Sequence, residues 1–178
     1  HTIYIATFIL GKDETGNTIV KALAEKASQG LKVYLLLDAL GSIRISRKFL
    51  SPLVAAGGQV AFFMPMMHLP FRGRANLRNH RKMFIWDHQT AIIGGMNLAA
   101  EYMGPQDIPG RWQDLSLLVE GPVIDPIANI FRADWEFASK TRLDAPAAAS
   151  PARKMDPTGV AQLVASGPDI RNDSLRNA

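Results

Sequence analysis

At 178 residues, 47% hydrophobic and 20% charged, with a mean hydropathy of zero, the chain has the composition of one folded domain rather than of a disordered segment. It has no cysteine, which excludes disulfide scaffolds, thiolate metal sites and cysteine nucleophiles, and no apolar run approaches the roughly 18 residues of a membrane span. The net charge of +4 is local: Arg72, Arg74, Arg78, Arg81 and Lys82 follow one another without an acid, and with those five set aside 15 basic residues face 16 acidic ones. A single basic stretch suits an anionic group bound in one place better than diffuse nucleic-acid binding.

The chain opens at His1 into the continuous apolar run Ile3–Leu10, which reads as a strand covered on both faces. Gly16–Gln29 carries apolar residues at helical spacing and closes on Gly30. Val33–Asp38 reads as a second buried strand ending on a carboxylate, Lys48–Ala56 as a short helix stopped by Gly57-Gly58, and Gln59–Phe63 as a third strand. Asp38 stands where open α/β sheets place their sites, and a bland role, bonding the backbone of the following loop, is the alternative. Met64–Arg78 follows as a long loop, apolar at its start, suited either to packing or to contact with lipid chains.

Two short strands, His80–Trp86 and Thr90–Ile93, are then joined by a turn at Asp87-His88-Gln89. Trp112–Glu120 reads as another strand, and a helix runs from Gly121-Pro122 to about Ala138. The pattern predicts an α/β/α sandwich with a mixed sheet over residues 1–140. Residues 141–158, rich in Ala and Pro, read as a linker, and 159–178 as the truncated start of a second lobe. Both ends look cut, as expected of a piece of a longer protein.

The densest chemistry lies between residues 80 and 97. On a strand, His80 and Lys82 share a face and Arg81 points away. Gly94-Gly95 lets the backbone come close to whatever that pair holds, and Asn97 adds an amide donor. An imidazole beside an ammonium suits phosphate, because the ring nitrogen attacks phosphorus while the lysine neutralises charge on the non-bridging oxygens.

The spacing His80-x-Lys82-x4-Asp87-x6-Gly94-Gly95-x-Asn97 resembles the HxKxxxxD signature of the phospholipase D superfamily with its Gly-Gly-x-Asn extension. Arg78-Asn79-His80-Arg81-Lys82, Glu101-Tyr102, Trp112-x-Asp114, Glu120-Gly121-Pro122 and Asp134-Trp135 extend the likeness to bacterial cardiolipin synthases, from Tyr4 to Asp169. The resemblance implies that His80 is the nucleophile, that Lys82 and Asn97 grip the phosphoryl oxygens, and that Asp114 rather than Asp87 orients the imidazole. Asp87 and Gly94 would then be structural, and Arg72, Arg74, Arg78 and Gly95 would line the substrate. The three arginines equally suit a solvated loop. No metal and no cofactor are implied.

By the same resemblance, the activity would be phosphatidyl transfer through phosphohistidine, with an anionic, phosphatidylglycerol-like lipid and a membrane surface as partners. The parent would be a membrane-associated bacterial inner-membrane protein with a cytoplasmic catalytic region. The pattern is incomplete in one respect. None of His1, His68 and His88 has a lysine two residues later, so a second motif must come from another lobe of the same protein or from a homodimer. A homodimeric single-motif nuclease and a non-catalytic lipid-binding domain are the competing expectations.

Overall fold

In the computed structural model, residues 1–64, 78–144, 159 and 162–164 are described. Six strands and three helices follow in the order β1 (Thr2–Thr7), α1 (Glu14–Ser28), β2 (Lys32–Asp38), α2 (Arg47–Ala55), β3 (Gln59–Phe63), β4 (Lys82–Trp86), β5 (Thr90–Gly94), β6 (Ser116–Glu120) and α3 (Ile124–Ser139). The apolar runs become strands because both faces of the sheet are covered. Ile3, Ile5, Val33, Leu35, Leu37 and Phe84 face one way and meet Val20 and Leu23 of α1 and Leu50 and Leu53 of α2. Their neighbours Tyr4, Ala6, Tyr34, Leu36, Met83 and Ile85 face the other way and meet Ile127, Phe131 and Trp135 of α3. Tyr4 stacks on Phe131 with ring centroids 4.7 Å apart.

Helix starts follow local chemistry. Asp13 caps α1 through a 2.8 Å bond from the Gly16 amide, and Ser46 caps α2 through a 3.2 Å bond from the Phe49 amide.

The sheet order is β3-β2-β1-β4-β5-β6. The first three strands are parallel, and β4, β5 and β6 are each antiparallel to their neighbour. The mixed sheet between helical layers is the architecture expected from the sequence.

Several boundaries differ in ways that matter for the site. The first strand stops at Thr7, and the chain beyond it leaves the sheet, with Leu10 bridging Leu98. The fourth strand begins at Lys82, so His80 precedes it. The sixth begins at Ser116, which leaves Trp112 and Asp114 in the preceding loop. The Ala/Pro-rich linker and the start of a second lobe fall largely outside the described residues, as does most of the loop carrying His68, Arg72 and Arg74.

Candidate active site

Strand pairing assembles the site at one end of the central strands. Ala6 pairs with Met83, so Lys82 arrives where the parallel strands β1 and β2 end. Lys82 in turn pairs with Gly94, and Gly94 with Ser116. A Cβ on Gly94 would overlap the Leu115 carbonyl and Ser116, and one on Gly95 would overlap the Asp114 carboxylate. What the two glycines admit closely is therefore the 114–116 segment.

His80 lies just outside β4, so it does not share a strand face with Lys82 as the alternation argument expects. The two meet because the Lys82 side chain bends back. Its Nζ donates to the His80 carbonyl at 2.9 Å and lies 2.9 Å from Nδ1 and 3.2 Å from Nε2 of the same ring. A neutral imidazole has one acceptor nitrogen, so the ammonium bonds one ring nitrogen at a time. Phe8, just past the end of β1, forms the floor. Its ring lies 4.6 Å from that of His80 and 5.7 Å below the Lys82 ammonium. Lys82 is 4% exposed, whereas His80 is open to solvent.

The electrostatics follow from this packing. Desolvation pushes the His80 pKa below the ordinary histidine value, the Lys82 charge pushes it the same way, and Asp38 opposes both. Desolvation also lowers the Lys82 pKa, and the Asp114 carboxylate counters it. The packing thus favours the neutral form of the imidazole, while the Asp114 carboxylate opposes the loss of charge on the lysine beside it.

Asp114 is exposed and accepts a 2.7 Å bond from the Leu115 amide. The structure brings its charge to Lys82 and assigns it no hydrogen bond to His80 among the described residues. Asn97 is 2% exposed and accepts a 3.0 Å bond from the Ile9 amide through Oδ1. That leaves its NH2 group as the donor.

The residues flanking His80 are clamped. The Asn79 amide donates to Asp38 Oδ2 at 3.0 Å, its side-chain NH2 donates to Asp134 Oδ2 at 2.8 Å, and its Oδ1 accepts from the Arg81 amide at 3.1 Å. The Arg81 guanidinium donates to both Asp134 oxygens at 2.9 and 2.8 Å. Asp38, 1% exposed, also accepts from the Leu40 and Gly41 amides at 2.9 and 3.2 Å, which is the backbone-bonding role foreseen for it. Arg78 turns inward, 3.8 Å from Asp38 and donating to the Met64 carbonyl at 3.3 Å.

Asp87 stands at the far end of β4, about 16 Å along the strand from Lys82. Its Oδ1 accepts from the Thr2 amide at 2.6 Å and its Oδ2 lies 2.7 Å from His1 Nδ1. Phe8 and Asp134 are the site residues to which sequence reasoning gave no role. A signal for Asp134 existed: it sits seven residues after Ile127 and three after Phe131, an acid on the apolar stripe of α3.

The family profile described as "Cardiolipin synthase, PLD-like domain" matches residues 1–135. The chain belongs to the PLD-like domain family of cardiolipin synthases. Cardiolipin synthase from Geobacillus kaustophilus is 37% identical over 178 residues, covering 99% of this chain and 35% of that protein. Cardiolipin synthase from Clostridium perfringens is 34% identical over 180 residues, covering 98% and 38%. This PLD-like chain thus spans roughly a third of the length of these relatives. Among solved structures, NucT from Helicobacter pylori shares the fold with a TM-score of 0.51 at 15% identity, over 77% of this chain and 80% of NucT.

Proposed function

We propose that this chain supplies one histidine half-site of a phosphatidyltransferase acting on phosphatidylglycerol-like lipids. The observation that carries the reading is the Lys82 ammonium, nearly buried and within 3.2 Å of both nitrogens of an imidazole held below its usual pKa. Such a ring is unprotonated near neutrality and has its lone pair available, and the adjacent cation stabilises negative charge as it builds on phosphate oxygens. The Asn97 amide adds a neutral donor, and the Asp114 carboxylate favours the charged form of Lys82 against the desolvation that disfavours it.

In the first step an imidazole nitrogen of His80 attacks phosphorus. A P–N bond forms, the P–O bond to glycerol breaks, and the departing alkoxide takes a proton from the histidine of a second half-site. In the second step the terminal hydroxyl of another phosphatidylglycerol attacks phosphorus, gives its proton back to that histidine and breaks the P–N bond. The balance is two phosphatidylglycerols to one cardiolipin and one glycerol. Two in-line displacements retain configuration at phosphorus.

The second half-site comes from a further lobe of the protein or from a second copy. Trp112 and Leu115, 64% and 72% exposed on either side of Asp114, offer an apolar surface for it.

Radiolabelled phosphatidylglycerol mixed with the intact gene product should leave an acid-labile, base-stable phosphoprotein. His80→Asn should abolish that label. A label that persists in His80→Asn overturns the nucleophile assignment.

A further inference from the structure

The acid-free stretch of the chain is longer than the run beside the motif. From Ala39 to Trp86 there is no Asp or Glu, and Arg44, Arg47 and Lys48 join the five cations already described. Arg44 lies in the turn between β2 and α2, Arg47 and Lys48 begin α2, and all three are exposed. None forms an ion pair with a described residue. Arg47 and Lys48 occupy the first turn of α2, which holds no acid. There the helix dipole favours negative charge, so their placement does nothing for the helix.

Beside them Leu40 and Ile43 are 42% and 61% exposed. Isolated exposed aliphatic residues are ordinary. Here the backbone beneath them is tied down at every step. Asp38 accepts the Leu40 and Gly41 amides, and its carbonyl accepts the Ser42 amide at 2.9 Å. Ser42, 1% exposed, donates to the Phe8 carbonyl and accepts from the Leu10 amide, each at 3.1 Å. Ser42 and Ile45 point inward, and the tied turn holds Leu40 and Ile43 out.

The same Asp38 and Phe8 contact Asn79 and His80. The tip therefore projects from the same end of the sheet's central strands as His80.

We infer that this β2–α2 tip is a docking site for an anionic bilayer, with Leu40 and Ile43 entering the headgroup region and Arg44, Arg47 and Lys48 meeting anionic lipid. Exposed aliphatic groups ringed by unpaired cations match the chemistry of a lipid interface. A surface for single-stranded nucleic acid would present aromatic rings on which bases stack, and a phosphate backbone has no use for the exposed Leu40 and Ile43. The inference rests on the phospholipid reading for its biological sense, but its test involves no chemistry at His80.

The 178-residue chain is sedimented with vesicles of phosphatidylcholine alone and of phosphatidylcholine mixed with phosphatidylglycerol. The chain should partition to the mixed vesicles. Arg44→Gln/Arg47→Gln/Lys48→Gln should weaken partitioning about fivefold per charge, roughly a hundredfold together. Leu40→Ser/Ile43→Ser should weaken it about tenfold and make the remainder more sensitive to salt. The charge-preserving Arg44→Lys/Arg47→Lys variant should bind as the parent does, which keeps the comparison valid if a neutral variant folds poorly.

Equal binding to both vesicle types, or parental binding by the triple variant, overturns the proposal. So does loss of binding only in Arg72→Gln/Arg74→Gln, or a triple variant that loses affinity for duplex DNA and not for vesicles. Loss of phosphohistidine with tip-dependent binding intact would instead break the phosphatidyltransfer reading and leave the docking site standing.

Discussion

The β4–β5 hairpin has a histidine near each end, and the two live in opposite surroundings. His80, at the open end, is exposed, rests on Phe8 and faces the Lys82 ammonium. His88, in the turn, is 8% exposed, lies edge-on to Tyr4 at 5.1 Å, and its buried Nδ1 has no partner among the described residues. Both have pKa values below the ordinary one, chiefly through burial, with Lys82 as the second cause at one end and Arg132 at the other. A depressed pKa therefore does not identify a reactive histidine. Exposure to solvent, together with an ammonium within hydrogen-bond distance of the ring, separates the two.

The carboxylates divide in the same way. Asp87 ties the turn to the start of β1, whereas Asp38 and Asp134 hold the residues on both sides of His80. Removing the second tie should have the largest effect on stability. Asp134→Ala leaves the partly buried Arg81 guanidinium and the Asn79 side-chain NH2 without this partner, and should cost about 2–3 kcal/mol in denaturant unfolding while slowing formation of the His80 label. If stability falls and the rate of labelling per folded molecule is unchanged, the clamp supports the fold and does not position His80.

Asp87→Ala should cost less, about 1–2 kcal/mol, by removing the bond to the Thr2 amide and placing alanine at a φ of 50°. Labelling of His80 in the folded fraction should be untouched. A large loss of labelling there would mean that the two ends of the hairpin are coupled.

The smallest effects separate the two histidines by titration. Lys82→Met removes a like charge from beside His80, so NMR should show the His80 pKa rising toward the ordinary value while His88 stays in place. Arg132→Gln should raise His88 and leave His80 alone. Because a higher pKa keeps His80 protonated to higher pH, the residual activity of Lys82→Met should be lost on acidification sooner than in the parent. Movement of both histidines in either variant would contradict the local origin of the shifts.

Much of this was legible in the residues. The unbroken apolar runs around Ile5 and Leu35 could only be strands buried on both faces, and Gln59–Phe63 falls where β-propensity and the preceding glycines place it. The spacing from His80 to Asn97 by itself points to phosphate chemistry. The place of His80 outside β4 was not legible, because residues 79–81 trade strand pairing for bonds to Asp38 and Asp134, which lie 41 and 55 positions from Asn79. The sixth strand was legible but its start was not: Trp112 and Leu115 look like buried strand residues, yet stand exposed before β6 begins at Ser116. The basic tip escaped notice because Arg44, Arg47 and Lys48 lie far in sequence from the motif, and only the packing of the 42–45 turn on Phe8 brings them to the same end of the central strands.

The sequence by itself determined the layer architecture and the spacing that brings His80, Lys82 and Asn97 into one short stretch, since hydrophobic period and residue spacing are local quantities set by backbone geometry. Which carboxylate serves which cation was decided only by tertiary structure. That depends on long-range strand pairing and on which side chains lose water, and neither is written in neighbouring residues.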